Sequence, residues 1–114
     1  MAIQEWSDSI TVVELGNDPE FSDDLDGLVE AFDDNARDVA LNFAAVGFIN
    51  SSNVSQLLRL RKHVLAGQKR LILCSVNAQV WGVFQVTGLD KIFEFTNDIS
   101  TALAALQLTA IDGE

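Results

Sequence analysis

One segment near the middle of the chain, residues 39–64, restricts the possible folds more than any other. It begins with the apolar run Val39-Ala-Leu-Asn-Phe, passes through the polar turn Asn50-Ser-Ser-Asn, and continues with apolar residues at helical spacing. This order predicts a buried strand, a tight turn and an amphipathic helix. Asn and Ser at the turn can accept hydrogen bonds from the unpaired amides of the helix's first turn. We therefore expect the functional surface here, at the carboxyl end of a strand.

The predicted helix runs from Val54 to Val64, and its apolar spacing indicates which side faces the core. The i, i+3, i+4 pattern predicts a buried stripe, with Arg61 burying its aliphatic stem and keeping its charge in water. The residues of this predicted stripe are Val54, Leu57, Leu58, Arg61 and Leu65. Gly67 follows the helix and is expected to adopt the left-handed conformation that ends it.

Strands and helices alternate along the rest of the chain. Runs rich in β-branched and apolar residues predict strands, and apolar residues at helical spacing predict helices. The predicted strands are Ser9–Leu15, Asp38–Phe43, Arg70–Val76 and Leu89–Phe95, and the other predicted helices are Phe21–Phe32, Ala78–Val86 and a last one through Leu106. This alternation predicts one α/β domain over residues 1–114, mostly parallel, with its core at about 9–106 and residues 107–114 as a frayed tail.

Charge is distributed unevenly along these 114 residues. The net charge is −10, and 12 of the 17 carboxylates precede residue 39, whereas none lies between Val39 and Leu89. Five of the seven Lys and Arg residues fall within that acid-free middle. An acidic protein is a poor candidate for binding nucleic acid or an anionic membrane surface. The basic cluster is interpreted either as a solvated helix end or as a contact for an acidic patch on a partner.

The remaining composition points to a cytoplasmic protein. No apolar run approaches the length of a membrane-spanning helix, and the acidic first residues do not resemble a signal peptide. The single cysteine, Cys74, excludes an internal disulfide and suits a reducing compartment. Its position in an apolar run predicts a buried, unreactive thiol.

We find no set of residues for catalysis, for a metal or for a cofactor. The only histidine, His63, lies on the same predicted helix as Ser51, about 18 Å further along its axis, and cannot act as that serine's base. The turn lacks the glycines and lysine of a phosphate-binding loop, and no residues have metal-ligand spacing in the acid-free middle. The sequence therefore predicts a protein that is not an enzyme. A serine hydroxyl at a helix start is either a favourable place for a phosphate or merely part of the cap.

Two segments resemble the STAS domain family, of the anti-sigma-factor-antagonist type. The first is Val39-Ala-Leu-Asn-Phe followed by Val46-Gly-Phe-Ile-Asn-Ser-Ser-Asn, and the second is Gln85-Val-Thr-Gly-Leu-Asp-Lys-Ile-Phe. Both occur in the family's order and spacing, and the resemblance covers about Ser9 to Leu106. It implies a small mixed sheet packed with about four helices, and a function based on binding partners.

In this branch of the family, an anti-sigma factor that is also a serine kinase phosphorylates a serine at the start of the central helix, and a serine phosphatase reverses the step. The resemblance places the phosphoacceptor at Ser51, with Ser52 as the alternative. It implies that this turn and the helix behind it contact the partner. We expect the chain to be a monomer or weak dimer. The implied partner-binding residues are Asn50, Ser51, Ser52, Asn53, Val54, Gln56 and Arg59.

The turn differs from the family pattern Asp-Ser-Ser-Gly at two positions. Asn50 keeps the capping ability of Asp without its charge, and Asn53 adds a side chain where the pattern has none. Two hypotheses therefore stand side by side: a regulator switched by phosphorylation, and a non-switching interaction module or scaffold. A third is a small ligand bound at the strand ends near Ser51 and Asn77.

Overall fold

A five-stranded mixed sheet forms the centre of the molecule. The structure is a computed structural model that describes residues 3–32 and 34–112, without the side chains of Glu5 and residues 109–112. The strands are β1 (Ile3–Glu5), β2 (Ile10–Glu14), β3 (Asp38–Asn42), β4 (Leu71–Cys74) and β5 (Glu94–Thr96). The helices are α1 (Glu20–Phe32), α2 (Ser51–Ala66), α3 (Ala78–Thr87) and α4 (Ile99–Asp112).

The strands lie side by side in the order β1-β2-β3-β4-β5. β1 is antiparallel to β2, and the other neighbouring pairs are parallel. Each parallel pair is connected through a helix, because parallel strands need a crossover longer than a hairpin turn. All carboxyl ends of β2 to β5 therefore lie at one edge of the sheet, together with the start of α2. This arrangement confirms the predicted small, mixed and mostly parallel sheet with four helices.

Helices cover both faces of the sheet. α1, α2 and α3 contribute to the larger core, in which Phe43 makes edge-to-face contacts with Phe21 and Phe84 at centroid distances of 6.0 and 6.3 Å. α4 covers the other face, where Ala102 and Leu106 are fully buried against strand residues such as Ile72. Cys74 is also fully buried there, as predicted, and burial raises the pKa of its thiol.

The predicted buried stripe of α2 is wrong at most of its positions. The residues that α2 buries are Asn53, Leu57, Leu60 and Val64. Leu58 is 38% exposed and Leu65 is 48% exposed, and only Leu57 belongs to both sets. Two apolar stripes lie side by side on this helix, and the packing of α1 and the sheet selects one of them.

The ends of several elements also differ from the prediction. Gly67 has a φ of −83°, and the left-handed residue after α2 is Gln68, with a φ of 61°. The predicted strand Leu89–Phe95 is split, because a 3₁₀ turn occupies Leu89–Lys91 and β5 begins only at Glu94. At the end of α3 the αL glycine is Gly88, with a φ of 77°.

Both ends of the chain contain more regular structure than predicted. α4 continues to Asp112, so residues 107–112 belong to a helix and not to a frayed tail. β1 was not predicted and lies outside the predicted core. It pairs with β2 in an antiparallel arrangement that no local sequence pattern indicates. α1 ends at Phe32, as predicted, and Asp33, which follows it, lies outside the described residues.

Candidate functional site

The start of α2 is closed by a reciprocal pair of asparagines. Asn50 is the N-cap, and its Oδ1 accepts a hydrogen bond from the Asn53 amide at 2.9 Å. The Asn53 Oδ1 accepts in turn from the Asn50 amide at 3.1 Å. This is a capping box with Asn at both positions, and it satisfies two amides at the helix start. The predicted capping role of Asn50 is confirmed.

Asn53 also links α2 to the loop that precedes α1. Its Nδ2 donates to the Asp18 Oδ2 at 3.0 Å and to the Gln56 Oε1 at 3.2 Å. The Ser22 hydroxyl donates to the Asp18 Oδ1 at 2.6 Å and to the same Gln56 oxygen at 3.2 Å. With these bonds Asn53 is only 3% exposed, so its side chain lies beneath the turn and not on its outer surface.

Asp18 brings a negative charge to this network. The Ser22 hydroxyl has the largest effect on the Asp18 carboxyl and the Asn53 side-chain amide the next largest. Both hold its pKa below the ordinary value of 3.8. Both groups donate hydrogen bonds to the ionised form and so favour it. Asp18 is therefore ionised at neutral pH, next to the amide-rich first turn of α2.

Three loops at the carboxyl edge of the sheet are joined by asparagine side chains. The Asn17 Oδ1 accepts from the Gly47 amide at 2.8 Å, which connects the loop before α1 to the loop before α2. The Asn77 Nδ2 donates to the Val46 carbonyl at 3.0 Å, which connects the start of α3 to the same loop. The segment that leads into α2 is thus held on both sides, which gives the helix start a defined position.

Two serines lie on the outside of this braced turn. Ser51 and Ser52 are the first two residues of α2, and both are exposed. Because Asn50 and Asn53 form the cap, neither hydroxyl has a hydrogen-bond partner within the described part of the chain. Both hydroxyls are accessible at the positive end of a 16-residue helix.

The structure separates the predicted partner-binding residues into a surface group and a supporting group. Asn50, Ser51, Ser52 and Arg59 are exposed, and Val54 is half-buried. Asn53 is buried, and Gln56 is half-buried with its oxygen bound by Asn53 and Ser22.

Sequence reasoning missed Phe48, which is 63% exposed and lies two residues before the cap. A single exposed apolar side chain is ordinary on a protein surface, and its position beside the polar turn is what makes Phe48 a candidate contact. The available signal was an aromatic residue after Gly47, in the short segment between the strand and the polar turn.

Two open clefts border the same edge of the sheet. One, of about 430 Å³, lies between the end of β2 and α1 and is lined by carboxylates that include Glu14, Glu20 and Asp23. The other, of about 250 Å³, is lined by Asn97 and by Trp81 and Phe95, whose rings meet edge to face at 5.0 Å. Among residues 3–32 and 34–112, no three His, Cys, Asp or Glu side chains are grouped so as to hold a metal ion. Over the same ranges, no helix is both long and apolar enough to cross a bilayer.

The fold and the site together define a small α/β domain organised around a capped helix at the carboxyl edge of its sheet. The model of the STAS domain family matches residues 4–102. The chain therefore belongs to the STAS domain family, and the resemblance seen in the sequence is confirmed.

Similar proteins include anti-sigma factor antagonists. BtrV of Bordetella bronchiseptica, provisionally assigned as one, is 29% identical over 80 residues, which are 70% of this chain and 69% of BtrV. The structure of an anti-sigma-factor antagonist (STAS) domain protein from Planctomyces limnophilus has a TM-score of 0.79 at 24% identity, covering 92% of this chain and 97% of that one. Phosphorylated SpoIIAA, a Bacillus cell fate determinant, has a TM-score of 0.71 at 20% identity, covering 90% and 96%. The chain has the fold of these antagonists.

Proposed function

We propose that this chain is a cytoplasmic anti-sigma factor antagonist, a regulator that acts by binding a partner and is switched by phosphorylation of Ser51. The observation that carries the proposal is the exposed Ser51 hydroxyl, which the asparagine cap leaves uncommitted at the start of α2. The implied partners are an anti-sigma factor with serine kinase activity and a serine phosphatase. The phosphorylated form of SpoIIAA, which shares the fold, supports the comparison.

The proposed partner surface surrounds Ser51. It consists of exposed or half-buried side chains on one rigid turn and the helix behind it, with Asn53 and Gln56 supporting the turn from below. The surface residues are Phe48, Asn50, Ser51, Ser52, Val54 and Arg59. The bracing of this loop keeps it in one conformation, so binding costs little conformational entropy.

A phosphate on Ser51 would change this surface in two ways. The helix dipole and the unpaired first-turn amides favour added negative charge at this position, so the modified form is stable. A partner that packs on the turn would have to desolvate the phosphate, and it would meet that charge beside the ionised Asp18. Phosphorylation is therefore expected to release the partner without unfolding the domain.

The second candidate is a constitutive interaction module or scaffold within a signalling complex. It is favoured by the two departures from the family pattern, because Asn50 lacks the carboxylate that a kinase would meet and Asn53 is committed to the Asp18 network. In this case Asn50 acts as a cap only, and partner binding does not depend on Ser51 chemistry.

Intact-mass measurement and peptide mapping test the first candidate. The protein is incubated with ATP and a candidate anti-sigma factor kinase from the same organism. The variants Ser51→Ala and Ser52→Ala are treated in the same way. One added phosphate that disappears only in Ser51→Ala supports the switch. Phosphate lost only in Ser52→Ala would move the acceptor by one residue, and no phosphate from a kinase active on another antagonist would favour the scaffold.

Partner binding by phosphomimetic variants separates the two candidates further. The switch predicts that Ser51→Asp loses the partner while Ser51→Ala retains it. The scaffold predicts that both bind almost equally, with a stability change of at most about 1 kcal/mol. Sedimentation of the unmodified protein tests the proposed monomer or weak dimer.

A further inference from the structure

Helix α2 carries a second, mostly apolar stripe that lies largely outside the core. Val54, Leu58, Arg61 and Leu65 follow a 4-3-4 spacing, which is the spacing of residues along one helix–helix contact. We call these four residues the α2 seam. Leu58 is 38% exposed and Leu65 48% exposed, while Val54 and Arg61 are half-buried. The seam is therefore a partly exposed, mostly apolar strip along the flank of α2, and Val54 at its start also packs against the core.

The far end of the seam borders an open cleft of about 290 Å³. Leu65 lines this cleft from α2. Ile92, which is 44% exposed, lines it from the segment after the 3₁₀ turn. Leu71 and Phe93 are largely buried and also line it. The apolar surface of α2 thus continues across the cleft to Ile92.

The charges around the cleft are opposite to those of the molecule as a whole. Arg61 and Lys91 line it, and Arg70 lines it in an ion pair with Glu94. Three cations and one carboxylate leave a net charge of +2 on the lining of a protein whose net charge is −10. An apolar surface with a cationic border is complementary to an apolar segment that carries carboxylates.

These charges argue against a second copy of the chain as the occupant. Two copies joined seam to seam would bring the same cations together, and two bodies with a charge of −10 repel each other at longer range. We propose that the α2 seam and the adjoining cleft bind an amphipathic helix of a partner protein, with an apolar stripe of matching spacing flanked by Glu or Asp. This docking mode is the helix-in-groove type, in which the anchors lie at i, i+3, i+4 and i+7.

The location of the seam connects it to the proposed switch, and this step rests on the proposed function. Ser51 lies three residues before Val54, which is less than one turn of α2. A phosphate there would stand at the head of the seam and repel the carboxylates of a bound acidic helix. The class of partner and the direction of the switch then follow from the same charges.

Nuclear magnetic resonance titration of the ¹⁵N-labelled protein tests the docking site directly. The probe is a helical peptide of roughly 20 residues with Leu at 4-3 spacing flanked by Glu. Two comparison peptides replace every Glu with Lys or scramble the order. We expect saturable shift changes centred on Leu58, Leu65 and Ile92 with the Glu peptide alone. Raising the ionic strength from about 0.05 to about 0.5 M should weaken binding several-fold.

Matched variants separate the seam from general electrostatics. Leu65→Ser is expected to weaken binding at least about tenfold, because it removes an apolar anchor. Val86→Ser, at a side chain 89% exposed on α3, is expected to leave it unchanged. Arg61→Glu should weaken binding more than about fivefold. Lys62→Glu, which changes the net charge equally and lies outside the cleft lining, should weaken it less than about twofold.

The inference would be overturned by equal binding of the Glu and Lys peptides, by no saturable change at millimolar peptide, or by shifts located elsewhere. Sedimentation of the free protein as a dimer that Leu65→Ser dissociates would show instead that a second copy covers the seam. None of these measurements depends on Ser51. A bound Glu peptide together with an unphosphorylated Ser51 would refute the switch alone, and a phosphorylated Ser51 with no peptide bound would refute the seam alone.

Discussion

Replacing Asn53 with alanine should destabilise the domain more than any other single change at the start of α2. The side chain is 3% exposed and makes three hydrogen bonds: it accepts from the Asn50 amide, and it donates to Asp18 and Gln56. Truncation removes half of the capping box and leaves these partners without Asn53. Because the Asp18 carboxylate is exposed, water replaces part of that contact.

The expected loss is about 2–3 kcal/mol in the free energy of unfolding, from roughly 1 kcal/mol for the cap and the remainder for the partly buried hydrogen bonds. For a chain of this size that corresponds to a fall of about 8–12 °C in Tm. Urea denaturation followed by circular dichroism measures the free energy, and an unchanged slope with urea shows that both variants unfold to the same extent.

Two further variants test whether the hydrogen bonds of the Asn53 side chain hold the turn. Ser52→Ala alters an exposed residue in the same turn and should change stability by less than about 0.5 kcal/mol. Asn53→Asp keeps the acceptor for the Asn50 amide but places a carboxylate against Asp18. It should therefore be unstable at neutral pH and recover part of that loss on acidification. A loss below about 1 kcal/mol in Asn53→Ala, or an equal loss in Ser52→Ala, would show that the network does not hold the turn.

Three other predictions follow from single contacts. The pKa of Asp18 is lowered in the folded state, so its hydrogen bonds stabilise the domain fully above its unfolded pKa, and this contribution is lost as the pH falls through the folded pKa. Asp18→Asn should therefore flatten the dependence of stability on pH below about pH 4, measured by thermal melts across pH. An unchanged slope would contradict this. Gly67→Ala places a Cβ 2.9 Å from the Phe32 ring, and the resulting overpacking should cost about 1–3 kcal/mol in urea denaturation; a neutral result would mean that the ring moves freely. Gln68→Gly relieves a left-handed residue with a φ of 61° and should stabilise the domain by about 0.5–1 kcal/mol, measured as a rise of a few degrees in Tm; an unchanged or lower Tm would contradict this.

The sequence was informative wherever a local pattern has one structural solution. The polar turn after an apolar run predicted α2 and its cap, because Asn50 accepts a hydrogen bond from the backbone amide of Asn53, only three residues away. The alternation of apolar runs and helical stripes announced a mostly parallel sheet.

Prediction failed where a choice depended on residues far apart in sequence. The stripe Val54, Leu58, Leu65 has the same period as the stripe that is buried, so only the positions of α1 and the sheet decide which one faces the core. The start of the predicted last strand became a 3₁₀ turn, where Leu89 is buried beneath α3 and caps the core.

By itself, then, the sequence determined the order of the main helices and strands from β2 to α4 and the cap at Asn50, since these depend on local spacing, and its two family segments determined the family. The tertiary structure decided that Asn53 is a buried link to Asp18, 35 residues away, and that the α2 seam is left on the surface. The physical reason is that burial and long-range hydrogen bonds are properties of the surroundings of a side chain, which exist only after the helices have packed on the sheet.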